Sequence, residues 1–158
     1  MTLQTPATLH CEVIQRAAQP TLAIRTITSG AELKSLFASI YPRITQYLGE
    51  LGSFPAGPPF GMYHNMDMQH LDVEIGFPVA QKALGRGDIK ASELPAGKYA
   101  SCVFTGPYDK VSAGWETLMG WVGAHHHQPV GPYLEVYLND PGEVSPEQLQ
   151  TQILVGLK

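Results

Sequence analysis

The run "GPYLEVYLND", residues 131–140, decides how the chain is read. A carboxylate, Glu135, sits between Tyr133 and Tyr137 in an otherwise apolar segment. Side chains on a strand alternate between faces, so Leu134, Val136 and Leu138 share one face and Tyr133, Glu135 and Tyr137 the other. Seventy-four positions earlier the chain reads "GPPFGMYHN", residues 57–65. The Gly-Pro opening and the tyrosine recur, Tyr63 standing for Tyr137, and Gly61 takes the place of Glu135.

The repetition extends outward from these two runs. "TLAIRTIT" (21–28) alternates as a strand, and Cys11–Arg16 is a second β-rich piece before it. Leu33, Leu36, Phe37, Ile40, Ile44, Tyr47, Leu48 and Leu51 then recur at the spacing of an amphipathic helix, with Ser29 and Glu32 as a starting cap and Pro42 inside. "LDVEIGFPV" (71–79) is another strand. In the second half "KYASCVFTG" (98–106) is a strand and "YDKVSAGWETLMGWVGAHHH" (108–127) a helix, followed by the opening run and "LQTQILVGL" (149–157). The segment between, residues 82–98, reads as a connector whose Gly85, Gly87, Pro95 and Gly97 mark turns. Strand–helix–strand–strand thus occurs twice, in halves of about residues 10–80 and 95–158. This predicts one α+β domain over 1–158, a duplicated βαββ unit with pseudo-two-fold symmetry. The sheet is expected to be antiparallel, with both helices on one side and a ligand cleft between the halves.

Composition narrows the function. A formal net charge of −4, with 10 basic residues scattered along the chain, argues against a nucleic-acid surface. No apolar run approaches the length of a membrane span, and the N-terminal "MTLQTPATLHCEVIQR" lacks the pattern of a secretory leader. Two cysteines far apart, Cys11 and Cys102, form no metal or disulfide motif, so a cytoplasmic location is expected. Three consecutive histidines, His125 to His127, cannot all face one ion on a regular element and read as a solvated helix end. Neither a phosphate loop nor a Ser-His-Asp context is present, so no metal and no cofactor is expected.

The aliphatic faces should pack under the helices. That puts Leu134 and Val136, and in the first half Phe60, Met62 and His64, on the helix side, with Val73, Ile75 and Phe77 also in the core. The opposite faces, Gly61 and Tyr63, Asp72 and Glu74, Tyr133, Glu135 and Tyr137, could then line a shared cleft. Tyrosine hydroxyls can hydrogen-bond a carboxylate, and aromatic faces attract organic cations. Gly61 opposite Glu135 would leave room for a ligand. The same alternation equally fits a sheet whose polar face meets water, with Glu135 solvated and the tyrosines packed across strands. Trp115 and Trp121 project to different sides of the second helix. Trp115 reads as core and the other as a candidate roof for a pocket.

Four segments in order, "GPPFGMYHN", "LDVEIGFPV", "LPAGKYASCVFTGPYDKV" and "GPYLEVYLNDP", resemble the GyrI-like family of small-molecule-binding domains, which also supplies the effector-binding part of AraC-type and MerR-type regulators. The resemblance runs from about residue 10 to the C-terminus. It implies that Glu135 contacts ligand at the floor of the cleft, walled by Tyr63, Tyr137 and Trp115. No helix-turn-helix pattern occurs, so the expectation is a stand-alone domain without direct DNA binding. Its partner would be a lipophilic, aromatic or cationic small molecule, in drug or toxin sequestration or resistance. Two alternatives follow from the same resemblance. One is a hydrolase that opens cyclopropane-bearing DNA-alkylating toxins, with Glu135 as base and Tyr137 or Tyr63 as acid. The other is a gyrase-inhibitor-like module acting on a protein partner. The oligomeric state stays open.

Overall fold

The two strand–helix–strand–strand units meet in one antiparallel sheet of eight strands in the computed structural model, which describes residues 9–158. The first eight residues of the N-terminal stretch considered above lie outside the described residues. In chain order the elements are β1 (Glu12–Arg16), β2 (Gln19–Thr28), α1 (Leu33–Glu50), β3 (Phe60–Tyr63) and β4 (Leu71–Pro78), then β5 (Lys90–Leu94), β6 (Gly97–Thr105), α2 (Val111–Ala124), β7 (Pro129–Tyr137) and β8 (Gln150–Leu157). The sheet runs β1-β6-β8-β7-β3-β4-β2-β5. Each half contributes three adjacent strands, and the halves join where β3 pairs with β7.

β1 precedes the first unit but pairs with β6 of the second, and β5 precedes the second unit but pairs with β2 of the first. Each half therefore lends a strand to the edge of the other. β5 lies inside the segment expected to be only a connector. It is mostly exposed, so no apolar alternation announces it, and its Lys90 suits an edge strand.

α1 buries Ile40, Ile44, Tyr47 and Leu48, the stripe legible in the sequence, and continues through Pro42. Ser29 makes no side-chain cap bond; Glu32 N–H instead bonds the Ser29 carbonyl at 3.1 Å in a 3-10 turn. The helix ends at Gly52, whose φ of 71° turns the chain left-handed so that Ser53 N–H reaches the Leu48 carbonyl at 2.8 Å.

Both faces of the sheet are packed. α1 covers Leu22, Ile24, Val73, Ile75 and Phe77, and α2 covers Ala100, Cys102, Ile153 and Val155. The face without helices carries its own core, Ala23, Phe60, Met62, Leu94, Tyr99, Leu134, Val136 and Leu154, because the sheet curls and brings its ends together. This corrects the expected orientation of the two central strands. Leu134 and Val136, with Phe60 and Met62, point away from the helices, and Tyr63 and Tyr133 point toward them. The expectation for Val73, Ile75 and Phe77 agrees with the structure.

Candidate functional site

β3 and β7 pair in a register that places Phe60 opposite Val136, Gly61 opposite Glu135 and Met62 opposite Leu134. In the internal repeat, Gly61 is the counterpart of Glu135 and Tyr63 that of Tyr137. The pseudo-two-fold axis therefore passes through the Gly61–Glu135 pair, and each of these residues faces its own counterpart across the ladder. The side chains at this point project toward the gap between α1 and α2.

Glu135 is 9% exposed. Its Oε1 accepts a hydrogen bond from the Tyr137 hydroxyl at 2.7 Å and a longer one from Tyr63 at 3.4 Å. Its Oε2 accepts from the indole Nε1–H of Trp115 at 2.8 Å, across from α2. Among the described residues no Lys, Arg or His forms an ion pair with it. A carboxylate taken from water without a cation is costly, and hydrogen bonds to the charge are what hold it there.

Rings enclose the carboxylate. Phe37 of α1 packs on Tyr137 with centroids 5.5 Å apart, and Tyr108, in the 3-10 turn before α2, meets Tyr137 edge-on at 5.5 Å. Tyr41 stacks on Phe37 at 5.7 Å and donates to the Phe60 carbonyl at 3.2 Å. Trp115 meets Tyr133 at 6.1 Å. Burial pushes the phenols of Tyr137, Tyr63 and Tyr41 well above the ordinary range, and the charge of Glu135 pushes them further. They stay protonated and act as donors. A Cβ at Gly61 would lie 3.3 Å from Phe37 Cζ, 3.4 Å from the Tyr63 hydroxyl and 3.5 Å from that of Tyr137. The space that glycine frees is where the aromatic groups converge on the carboxylate.

Of the residues singled out from sequence, Glu135, Tyr137, Tyr63, Gly61 and Trp115 come together, and Tyr133 flanks them. Trp115 is a hydrogen-bond donor to the carboxylate, whereas Trp121, the candidate roof, stacks on His125 and His127 at 4.3 and 5.8 Å. Glu74 does not join the cluster. It points to the helix-free face, where His64 Nε2 lies 2.8 Å from Oε1 and the Ser92 hydroxyl donates to Oε2 at 2.7 Å. It borders a shallow cavity of about 410 Å³ that Met62, Glu93 and Pro132 also line. Phe37, Tyr41 and Tyr108 were not singled out. Phe37 was read as part of the apolar stripe of α1, and the i, i+4 spacing of Phe37 and Tyr41 is the signal that could have found the aromatic wall.

The family model for the GyrI-like small molecule binding domain matches residues 10–158. A DNA gyrase inhibitor of Serratia proteamaculans (strain 568) is 30% identical over 67 residues, 42% of this chain and 42% of that protein. The C-terminal domain of EcmrR superposes with a TM-score of 0.79 at 18% identity, over 95% of this chain and 98% of that domain. The EcmrR chain in its DNA complex is longer, and the match there covers 58% of it, with a TM-score of 0.80. SAV2435, in a structure bound to tetraphenylphosphonium, superposes with a TM-score of 0.68 at 14% identity, over 94% of each chain. At these identities the solved structures speak for the fold. Among the described residues no helix is long and apolar enough to cross a membrane.

Proposed function

The chain belongs to the GyrI-like small-molecule-binding domain family, and from that premise we propose that it captures lipophilic aromatic cations, with Glu135 as their counter-charge. The observation that carries this is a buried carboxylate, 9% exposed, held by three donors and by no cation of the described residues. A carboxylate has about four acceptor positions, so three donors leave one free for a ligand. The surrounding faces of Tyr137, Tyr108, Phe37 and Trp115 favour a delocalised cation by dispersion and by cation–π attraction. That SAV2435 is found with tetraphenylphosphonium supports the same class of ligand for this fold. Drug or toxin sequestration is the role that fits such binding without turnover.

The hydrolase alternative is less well supported. A ring-opening needs a proton donor matched to its task, and the phenols of Tyr137 and Tyr63 are pushed up and already committed to Glu135.

Titration with tetraphenylphosphonium and with neutral triphenylphosphine oxide, followed by calorimetry, tests the proposal. In Glu135→Gln the cation should bind about 30-fold more weakly, roughly 2 kcal/mol, while the neutral compound changes little. Equal affinity of the cation for the wild type and Glu135→Gln would overturn it.

A further inference from the structure

Cys11 and Cys102, distant in sequence, are brought together at the edge of the sheet. β1 pairs with β6 so that Val13 faces Ala100 and Glu12 faces Ser101. The ladder ends at Glu12, and its register continued by one residue puts Cys11 opposite Cys102. Both lie on the helix side, in the cluster beneath Leu118 and Val122 of α2, with Leu9 beside them. Burial raises both thiols, Cys102 to about 12, and they are close enough for each also to alter the ionisation of the other. Directly opposed residues of an antiparallel pair have Cα atoms about 4.5–5.5 Å apart. A disulfide requires about 4.4–6.8 Å and side chains leaving the same face, which this arrangement provides. Cys102 is 3% exposed, whereas Cys11 is half-buried and accessible to a small oxidant.

We propose that Cys11 and Cys102 are an oxidation site, closing under peroxide into a disulfide that staples β1 to β6 beneath α2. The Cys11 thiolate attacks one oxygen of hydrogen peroxide, breaking the O–O bond. This gives the sulfenic acid and hydroxide, which takes up the thiol's proton to become water. The Cys102 sulfur then attacks Cys11 Sγ and expels the hydroxyl, which leaves as a second water with the proton from Cys102. Two thiols and one peroxide give one disulfide and two waters. A dithiol reductant returns the pair to thiols by exchange.

The staple would fall at one edge of the sheet. β1 joins the sheet only through β6, and its residues are largely exposed or half-buried. The loop it closes contains the whole first half of the domain, so it restricts the unfolded chain strongly.

These are the only two cysteines of the chain, so the products are few. The folded protein is treated with hydrogen peroxide, denatured in an alkylating reagent and weighed. A monomer that has lost two hydrogens and takes up no alkyl group is expected, with a digest linking the Cys11 and Cys102 peptides. The thermal midpoint should rise on the order of 10 °C and return with dithiothreitol. Cys11→Ser, at a half-buried position, should remove both effects, as should Cys102→Ala. Two alkylated thiols after oxidation, a link found only between two chains, or an unchanged midpoint despite a formed link would overturn the proposal.

Discussion

Replacing Glu135 by alanine and by glutamine separates the worth of its hydrogen bonds from that of its charge. Three donors converge on the carboxylate, Tyr137 at 2.7 Å, Trp115 at 2.8 Å and Tyr63 at 3.4 Å. Alanine leaves Trp115 without a partner and the two hydroxyls with only each other. The Tyr137 and Tyr63 hydroxyls belong to residues 8% and 7% exposed, so water does not readily replace what is lost. Losing the charge also relieves its desolvation, which the charge-assisted bonds offset, so the orphaned donors dominate the balance. At about 1–3 kcal/mol for each buried unpartnered donor, with the long Tyr63 bond counting least, Glu135→Ala should destabilise the fold by about 2–4 kcal/mol. Glutamine keeps the shape. Trp115 can only donate, so the amide oxygen must turn toward it, and the amide NH2 then faces Tyr137, whose hydroxyl can rotate to accept. One phenol hydrogen is left without an acceptor, so Glu135→Gln should cost about 1–2 kcal/mol, less than Glu135→Ala. Urea unfolding followed by tryptophan fluorescence reads both, since Trp115 lies at the site. If Glu135→Gln lost as much stability as Glu135→Ala, the charge itself would be holding the aromatic cluster, and the donor count would be the wrong basis.

Two further outcomes follow from the same cluster. Gly61→Ala should fold with a loss of at most about 1 kcal/mol, because Phe37 Cζ at 3.3 Å needs to move only slightly. Gly61→Val should cost about 1–3 kcal/mol in thermal unfolding and abolish tetraphenylphosphonium binding, its extra carbons displacing the two hydroxyls; full binding by Gly61→Val would show that this space is not used. Alkaline titration tests the phenols. Their folded pKa values lie above the unfolded value of about 10, so the stability they contribute is complete below pH 10 and lost as pH rises through the folded values. Phenolate absorbance of Tyr41, Tyr63 and Tyr137 should therefore appear only together with loss of near-ultraviolet circular dichroism. Ionisation of all seven tyrosines near pH 10 in a still-folded protein would contradict the burial assigned here.

The repeat was legible because Gly-Pro and tyrosine recur at the same spacing, and with it came the element order and the confrontation of Gly61 with Glu135. The orientation of the central strands was not. Alternation states which residues share a face, never what covers that face. Leu134 and Val136 look as if they belong under helices, but the curl of the sheet gathers residues far apart in sequence, Ala23, Phe60, Tyr99 and Leu154 among them, into a second apolar layer that takes them. Glu135 was thereby turned toward the helices, and Glu74, which alternates on β4, toward the other side. Tyr133 and Tyr137 gave no warning, since a tyrosine packs under a helix as readily as over a cleft. The donor role of Trp115 was equally hidden, because only the packing of α2 on the sheet brings its indole to the carboxylate.

The pseudo-symmetry explains why only one half carries the charge. The axis runs through residues 61 and 135, so a duplicated glutamate would face its own copy across the β3–β7 ladder, with Cβ atoms about 4.5–5.5 Å apart. Two buried carboxylates at that separation cannot both ionise, and one would be held as the neutral acid. With glycine at 61 there is a single carboxylate, and both copies of the tyrosine, Tyr63 and Tyr137, can turn their hydroxyls to it. The bonds of 3.4 and 2.7 Å show how unequally they share the task. Trp115 on α2 fills the remaining side, and α1 offers Phe37 at the corresponding flank. A symmetric frame thus places one anion on its own axis, with a hydrogen-bonding wall from one helix and an apolar wall from the other. Under the proposed function, a flat aromatic cation would meet a different surface on each side, and that asymmetry would set the orientation in which it lies.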